Sequence, residues 1–301
     1  MLRSTLKISV VASALTADPR QVARLARRTG FGGLLLDAGW SALKIAVLDS
    51  SGRRELRRLF AAESQQLVGL GADIGPAGLG PGADIDRALD QLEPVMEAAA
   101  ALVAPLVCVD LGPLPRHVPA PRPKPPINPD LLGPILIPAP AASPPPDISP
   151  TPADIAQIAQ IQSALEELGR RADRFSVTFA LRSELSSLAS LEAALRGANC
   201  PWFGVDLDPV ALLRDEWTLD ETLSALGPLI RHVRARDALI GMDRRTRPAP
   251  IGAGATDWPR LLADLDSAGF HGWFTVDPTE LPNRTDAASA GLAALRSIIS
   301  R

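Results

Sequence analysis

Eight short runs of apolar and β-branched residues recur along the 301 residues, each followed by a stretch with the spacing of an amphipathic helix. The runs are Lys7 to Ala12, Gly33 to Leu36, Gln66 to Ala72, Pro105 to Leu111, Phe175 to Leu181, Phe203 to Leu207, Leu229 to Arg236 and Gly272 to Val276. The helical stretches are Asp18 to Thr29, Ser51 to Glu63, Asp84 to Val103, Pro152 to Asp173, Leu185 to Arg196, Leu219 to Leu226, Asp257 to Ala268 and Asp286 to Ile299. Thr16 or Asp18 with Pro19 opens the first helix, and Gly30 ends it before Phe31. Parallel strands need long crossovers, and a helix is the usual one. Eight strand and helix pairs in this length therefore predict an α/β fold, a (β/α)8 TIM barrel formed by residues 1–301 as one domain. In such a barrel the chemistry gathers where the strands end.

One segment breaks the alternation. Sixteen of the 29 prolines fall within residues 113–152, after the fourth strand. Proline removes a backbone donor and fixes φ, so this stretch is expected as a proline-rich inserted loop that leaves the barrel at its functional face. It reads either as a lid or protein-binding arm, anchored by Leu131, Leu132, Ile135, Leu136 and Ile137, or as a polyproline loop draped over the surface.

Composition narrows the partners. A net charge of -3 gives no electrostatic reason to bind nucleic acid. No run approaches the roughly 20 apolar residues that span a bilayer, so no membrane is expected. Cys108 and Cys200 lack metal-ligand spacing and read as free thiols in a reducing, cytoplasmic setting. The stretch from Lys7 to Ala12 reads as a first strand rather than a signal peptide, because serines break its apolar run.

The last third carries the most specific residues. They are Gly204-Val-Asp-Leu-Asp208-Pro209, Ile230-Arg-His-Val-Arg-Ala-Arg-Asp237, Pro250-Ile-Gly-Ala-Gly254 with Thr256-Asp-Trp258, and Gly269-Phe-His-Gly-Trp-Phe-Thr-Val-Asp277. Together with Leu15 to Pro19 and Thr29 to Asp37, they resemble the sugar phosphate isomerase/epimerase family, the xylose isomerase-like TIM barrels. The resemblance implies a small sugar or sugar phosphate as ligand. It also implies a divalent metal held by a glutamate, an aspartate, a histidine and a second glutamate at four strand ends. The metal would polarise the sugar while the glutamates move a proton.

Carried onto this chain, those four positions fall on Arg182, Asp208, Arg234 and Asp277, and a histidine expected three residues after Asp208 is Ala211. A guanidinium has no lone pair to give a metal and repels one. The expectation is that Arg182 and Arg234 form salt bridges with Asp208 and Asp277 in the volume of the ion, with no metal or other cofactor bound. A divalent metal returns only if Asp208 is joined by Glu184 or Glu280 in a rebuilt site.

Strand alternation puts His232, Arg234 and Arg236 on one face, opposite Val233 and Ala235. The triple is read as facing inward, either as an anion pocket or as a buried charge network with Asp206, Asp208, Asp237 and Asp277. Asp277 and His232 are the candidate catalytic residues; Arg182, Arg234, Arg236, Asp208 and Trp40 are the candidate substrate-binding ones, Trp40 as a platform for a sugar ring. Gly252 and Gly254 are read either as amides for a ligand phosphate or as tight turns, and Arg244, Arg245 and Arg247 as added positive charge nearby. Two functions follow. One is an isomerase or epimerase on a small, anionic carbohydrate, with arginines replacing the metal. The other is an inactive barrel that binds a sugar or a protein partner, the latter through the proline-rich arm.

Overall fold

The computed structural model describes residues 6–117 and 151–300. The eight expected runs all form strands: β1 (Lys7–Val11), β2 (Gly33–Asp37), β3 (Gln66–Ala72), β4 (Leu106–Asp110), β5 (Thr178–Arg182), β6 (Phe203–Leu207), β7 (Ile230–Ala235) and β10 (Trp273–Val276). They close into a parallel barrel in the order β1-β10-β7-β6-β5-β4-β3-β2, so each strand pairs with its neighbours in sequence and β10 with β1. Helices α1 (Pro19–Thr29), α2 (Ser50–Ala62), α3 (Ile85–Leu102), α4 (Pro152–Phe175), α5 (Leu188–Ala198), α7 (Leu219–Leu226), α8 (Trp258–Ser267) and α9 (Arg284–Ile299) surround it. The crossover from β6 holds a further short helix, α6 (Pro209–Arg214), which the sequence reading did not anticipate.

Two cores result from the alternation of side chains. A large one joins the outward faces of the strands to the helices, with residues such as Leu34, Leu70, Val107, Phe179 and Leu168 fully buried. A small one, of Val11, Leu35, Cys108 and Ala180, lies apart from it, on the opposite strand faces that form the lumen. The same faces carry the buried polar side chains Ser9, Asp206, His232 and Thr275.

Local chemistry sets the helix starts. Asp18 accepts from the Arg20 amide with Pro19 in the first turn, and Thr151 and Asp154 cap each other reciprocally at α4. Past β3 and β4, the Gly78 and Gly112 backbones cross at positive φ, 54° and 70°, so closely that a Cβ on either would overlap the other loop. This crossing fixes the end of β4, where the amide of Gly112 donates to Asp110.

The chain after β7 departs from expectation. What read as an open charged loop is an antiparallel hairpin of β8 (Asp237–Ile240) and β9 (Thr246–Ala249), carrying exposed Arg244, Arg245 and Arg247 at and near its tip. Its four-residue strands, one containing Pro248, are too short to signal themselves by periodicity. Only the ends of the expected insertion, residues 113–117 and 151–152, are described; its apolar run Leu131 to Ile137 lies outside the described residues. No described helix is long and apolar enough to cross a membrane.

Candidate functional site

The C-terminal mouth of the barrel is lined by charges that end the strands. Asp110 closes β4 and Arg182 closes β5, and the two stand directly opposite each other in register. Arg182 Nε donates to Asp110 Oδ2 at 3.1 Å and its Nη1 reaches Asp206 of β6 at 3.4 Å. Arg234 of β7 donates to Asp206 at 3.3 Å and to Asp277, just past β10, at 2.6 Å. Arg236 pairs with Asp208 and, at 2.7 Å, with Glu280, while Glu184 stands 3.6 Å away. Six of the seven predicted site residues thus gather at the barrel mouth in two clusters: Arg182, His232, Arg234 and Asp277, joined through Asp206 and Arg234, and Arg236 with Asp208.

The pairing differs from the expected one. Arg234 does bond Asp277, but Arg182 takes Asp110 and Asp206 rather than Asp208. The cause is register: Asp110 is the cross-strand neighbour of Arg182. Asp208 lies one step above, capping α6 through the amide of Val210, at the level of Arg236. Asp237 also leaves the expected network. It faces the hairpin and accepts from the amides of Ala238, Gly252, Gly254 and Thr256 and from the indole of Trp258. The Gly252 and Gly254 amides are therefore turned to a protein carboxylate. Trp40 stands apart from the network, packed in the outer core with 8% of its surface exposed, which leaves little ring face for a sugar.

Beneath the mouth the lumen is sealed. His232 Nδ1 meets Asp206 Oδ1 at 2.5 Å, its Nε2 meets the Thr275 hydroxyl at 2.5 Å, and Thr275 meets Ser9 at 2.7 Å. Burial opposes charge on His232, but the Cys108 sulfur and the Asp206 carboxylate outweigh it and push its pKa up to about 10. Burial equally opposes charge on Asp206, and His232, Arg234 and Arg182 hold it well below the ordinary carboxylate range. Asp277 is held low by Arg234 and the Thr279 hydroxyl against the same opposition. Asp110 behaves differently: burial raises its proton affinity more than Arg182 lowers it.

Asp110 and Thr275, like the Ser9 and Thr279 that support the group, escaped the sequence reading. Asp110 was unmarked because it ends an apolar strand with nothing beside it in sequence to pair with. Thr275 was hidden because a threonine in a strand is ordinarily just a β-former. The signal that could have found both is their alternation in step with Cys108 and Asp277.

The four strand ends at which the resemblance implies a metal do not present a donor set. Two are guanidiniums, and the remaining carboxylates, Asp208 and Asp277, are each bonded to one. The rebuilt set also meets around a cation, since Asp208, Glu184 and Glu280 all point at Arg236. These residues do not fit a divalent ion while the arginines hold their places.

A closed eight-stranded parallel barrel surrounded by helices defines a TIM barrel, and its charged C-terminal mouth is the candidate site. Residues 23–298 match the family described as xylose isomerase-like TIM barrel, and the chain belongs to that family. No curated protein sequence matches it. Among solved structures it is similar to a 3-keto-D-glucoside 4-epimerase from E. coli, at 16% identity and TM-score 0.68, over 97% of this chain and 100% of that one. A D-psicose 3-epimerase from Clostridium cellulolyticum H10, solved with D-tagatose, is similar at 14% identity and TM-score 0.67, over 98% and 99% of the two chains. So is a probable 3-DHS dehydratase from Bacillus anthracis, at 12% identity and TM-score 0.68, over 97% and 99%. At these identities the likeness is one of fold, and the neighbours themselves carry different chemistries.

Proposed function

We propose that this protein binds a small carbohydrate at the barrel mouth without a divalent metal there, Arg182, Arg234 and Arg236 supplying the positive charge. The observation that carries this reading is the position of the three guanidiniums, directed into the mouth and bonded to its carboxylates. An anionic group on the ligand is received by Arg182 and Arg236. The acids that give way are the exposed ones, Glu184 and Glu280 beside Arg236, with side chains 36% and 52% exposed, and Asp110 beside Arg182, at 23%.

Binding is favoured over the proton transfer assigned to Asp277 and His232. His232 is fully buried with both ring nitrogens engaged, and the Asp277 side chain is 4% exposed and pinned in its ionised form. One observation favours the catalytic alternative: Asp110, with a 23% exposed side chain, holds a proton more readily than its mouth neighbours. Calorimetric titration with neutral sugars and sugar phosphates in the presence of a chelator tests the proposal. Saturable binding that weakens by roughly ten- to a hundredfold in Arg236→Ala is expected, the range for a lost charged hydrogen bond. Binding that needs Mn2+ or Mg2+ and vanishes in Asp208→Asn would contradict it. Uptake of solvent deuterium into the bound sugar, lost in Asp110→Asn, would decide for the enzyme.

A further inference from the structure

The carbohydrate reading leaves unused a group of side chains one layer below the mouth. Cys108 of β4, Asp206 of β6 and His232 of β7 are each at most 1% exposed. Their sulfur, carboxylate oxygen and imidazole nitrogen lie within 4.8 Å of one another, and they form the one such trio of potential ligands among the described residues. A thiolate, an imidazole and a carboxylate are the donors that zinc selects, whereas magnesium and calcium take oxygen.

The surroundings orient each donor. Thr275, itself held by Ser9, occupies Nε2 of His232, which turns Nδ1 toward Asp206. Arg182 and Arg234 hold Oδ2 of Asp206, leaving Oδ1 to the layer below. Cys108 is flanked in register by Gly71 and Ala180, and a Cβ added at Gly71 would meet only Leu36 O, at 3.8 Å. The lumen therefore keeps free space on the Gly71 side of this layer.

We propose that Cys108, Asp206 and His232 form a zinc site in the lumen, distinct from the mouth where the family resemblance implies a metal. The ion displaces the thiol proton of Cys108 and the Nδ1 proton of His232, which keeps its Nε2 proton on Thr275. Two protons leave and two positive charges enter, so the layer's net charge facing Arg182 and Arg234 is unchanged. The fourth tetrahedral position, on the Gly71 side, is open to a water. Ligand nitrogen and oxygen on a tetrahedral zinc stand about 3.3 Å apart, so His232 and Asp206 must part by roughly 0.8 Å from their present contact.

Because the trio is sealed, the test loads the ion during folding: the full chain is stripped with chelator, unfolded, and refolded with one equivalent of Co2+ or Zn2+. The expected result is one ion retained per chain, with a thiolate-to-cobalt charge-transfer band and tetrahedral d–d bands that Zn2+ abolishes. Cys108→Ser should lose the charge-transfer band and weaken zinc retention by at least about tenfold, while Asp277→Asn at the mouth leaves both intact. If Cys108→Ser does not fold, labelling of the refolded wild type in sub-denaturing urea, where opening of the fold exposes the buried thiol, decides: zinc should slow modification of Cys108 by a thiol reagent and leave that of the partly exposed Cys200 unchanged. Cobalt held without a thiolate band, equal retention by wild type and Cys108→Ser, no retention, or no protection of Cys108 would each overturn the proposal.

Discussion

The mouth of this barrel and the layer directly below it are built from the same kinds of residue but are wired differently. At the mouth, Arg182 and Arg236 keep side chains 20% and 13% exposed, and each has a partner acid that reaches solvent, Asp110 and Glu280. One layer down, Ser9, Thr275, His232 and Asp206 run as a hydrogen-bonded chain with at most 1% exposure. Water can replace a lost partner in the first region and cannot in the second. The upper layer is therefore free to exchange its partners for a ligand, while the lower one holds the barrel together.

That contrast predicts unequal costs. Asp206→Ala leaves His232, Arg182 and Arg234 without their shared carboxylate in a dry layer and should lose about 3–5 kcal/mol in denaturant unfolding. Arg236→Ala, at the wetter edge, should lose only about 1–2 kcal/mol. Equal losses would break the distinction between the layers. Asp237→Ala falls between them, at about 2–3 kcal/mol, because it orphans four amides and an indole whose loop can partly rehydrate. Its signature should be selective, with faster amide exchange at Ala238 and from Gly252 to Trp258 and no change in the barrel strands.

The comparison sharpens through pH, measured on the chelator-treated chain. His232 binds its proton more tightly folded, near 10, than unfolded, near 6.5, so its stabilisation is complete below about pH 6.5 and fades as pH rises toward 10. Asp206 and Asp277 are shifted the other way; their contribution is present above about pH 4 and is lost on acidification. His232→Gln should flatten the alkaline limb of the stability profile and leave the acid limb in place. An unchanged alkaline limb would mean the imidazole is neutral in the fold.

How much of this was legible beforehand divides along the same line. The eight strands and their helices follow from periodicity and caps, and only ends moved. Phe175, read as opening a strand, instead ends α4, where the Arg174 guanidinium lies 4.5 Å from its ring centroid and Ser176 turns left-handed. The identity of the mouth residues was also readable, because alternation brings Arg234 and Arg236 to one face. Their partners were not. The choice of Asp110 over Asp208 by Arg182 spans 72 residues and rests on register between strands. Asp237 misled because strict alternation ends at Arg236, where the chain turns into a hairpin with no sequence signal of its own.

Guanidiniums occupy mouth positions where the family resemblance implies metal ligands. Titration of Mn2+ followed by electron paramagnetic resonance tests it, since this hard ion prefers the oxygen and imidazole donors of a mouth site over the thiolate below. The wild-type chain should leave Mn2+ free in solution, and the double variant Arg182→Glu with Arg234→His should bind one equivalent together with Asp208 and Asp277. Tight binding of Mn2+ by the wild type, lost in Asp208→Asn, would contradict the account.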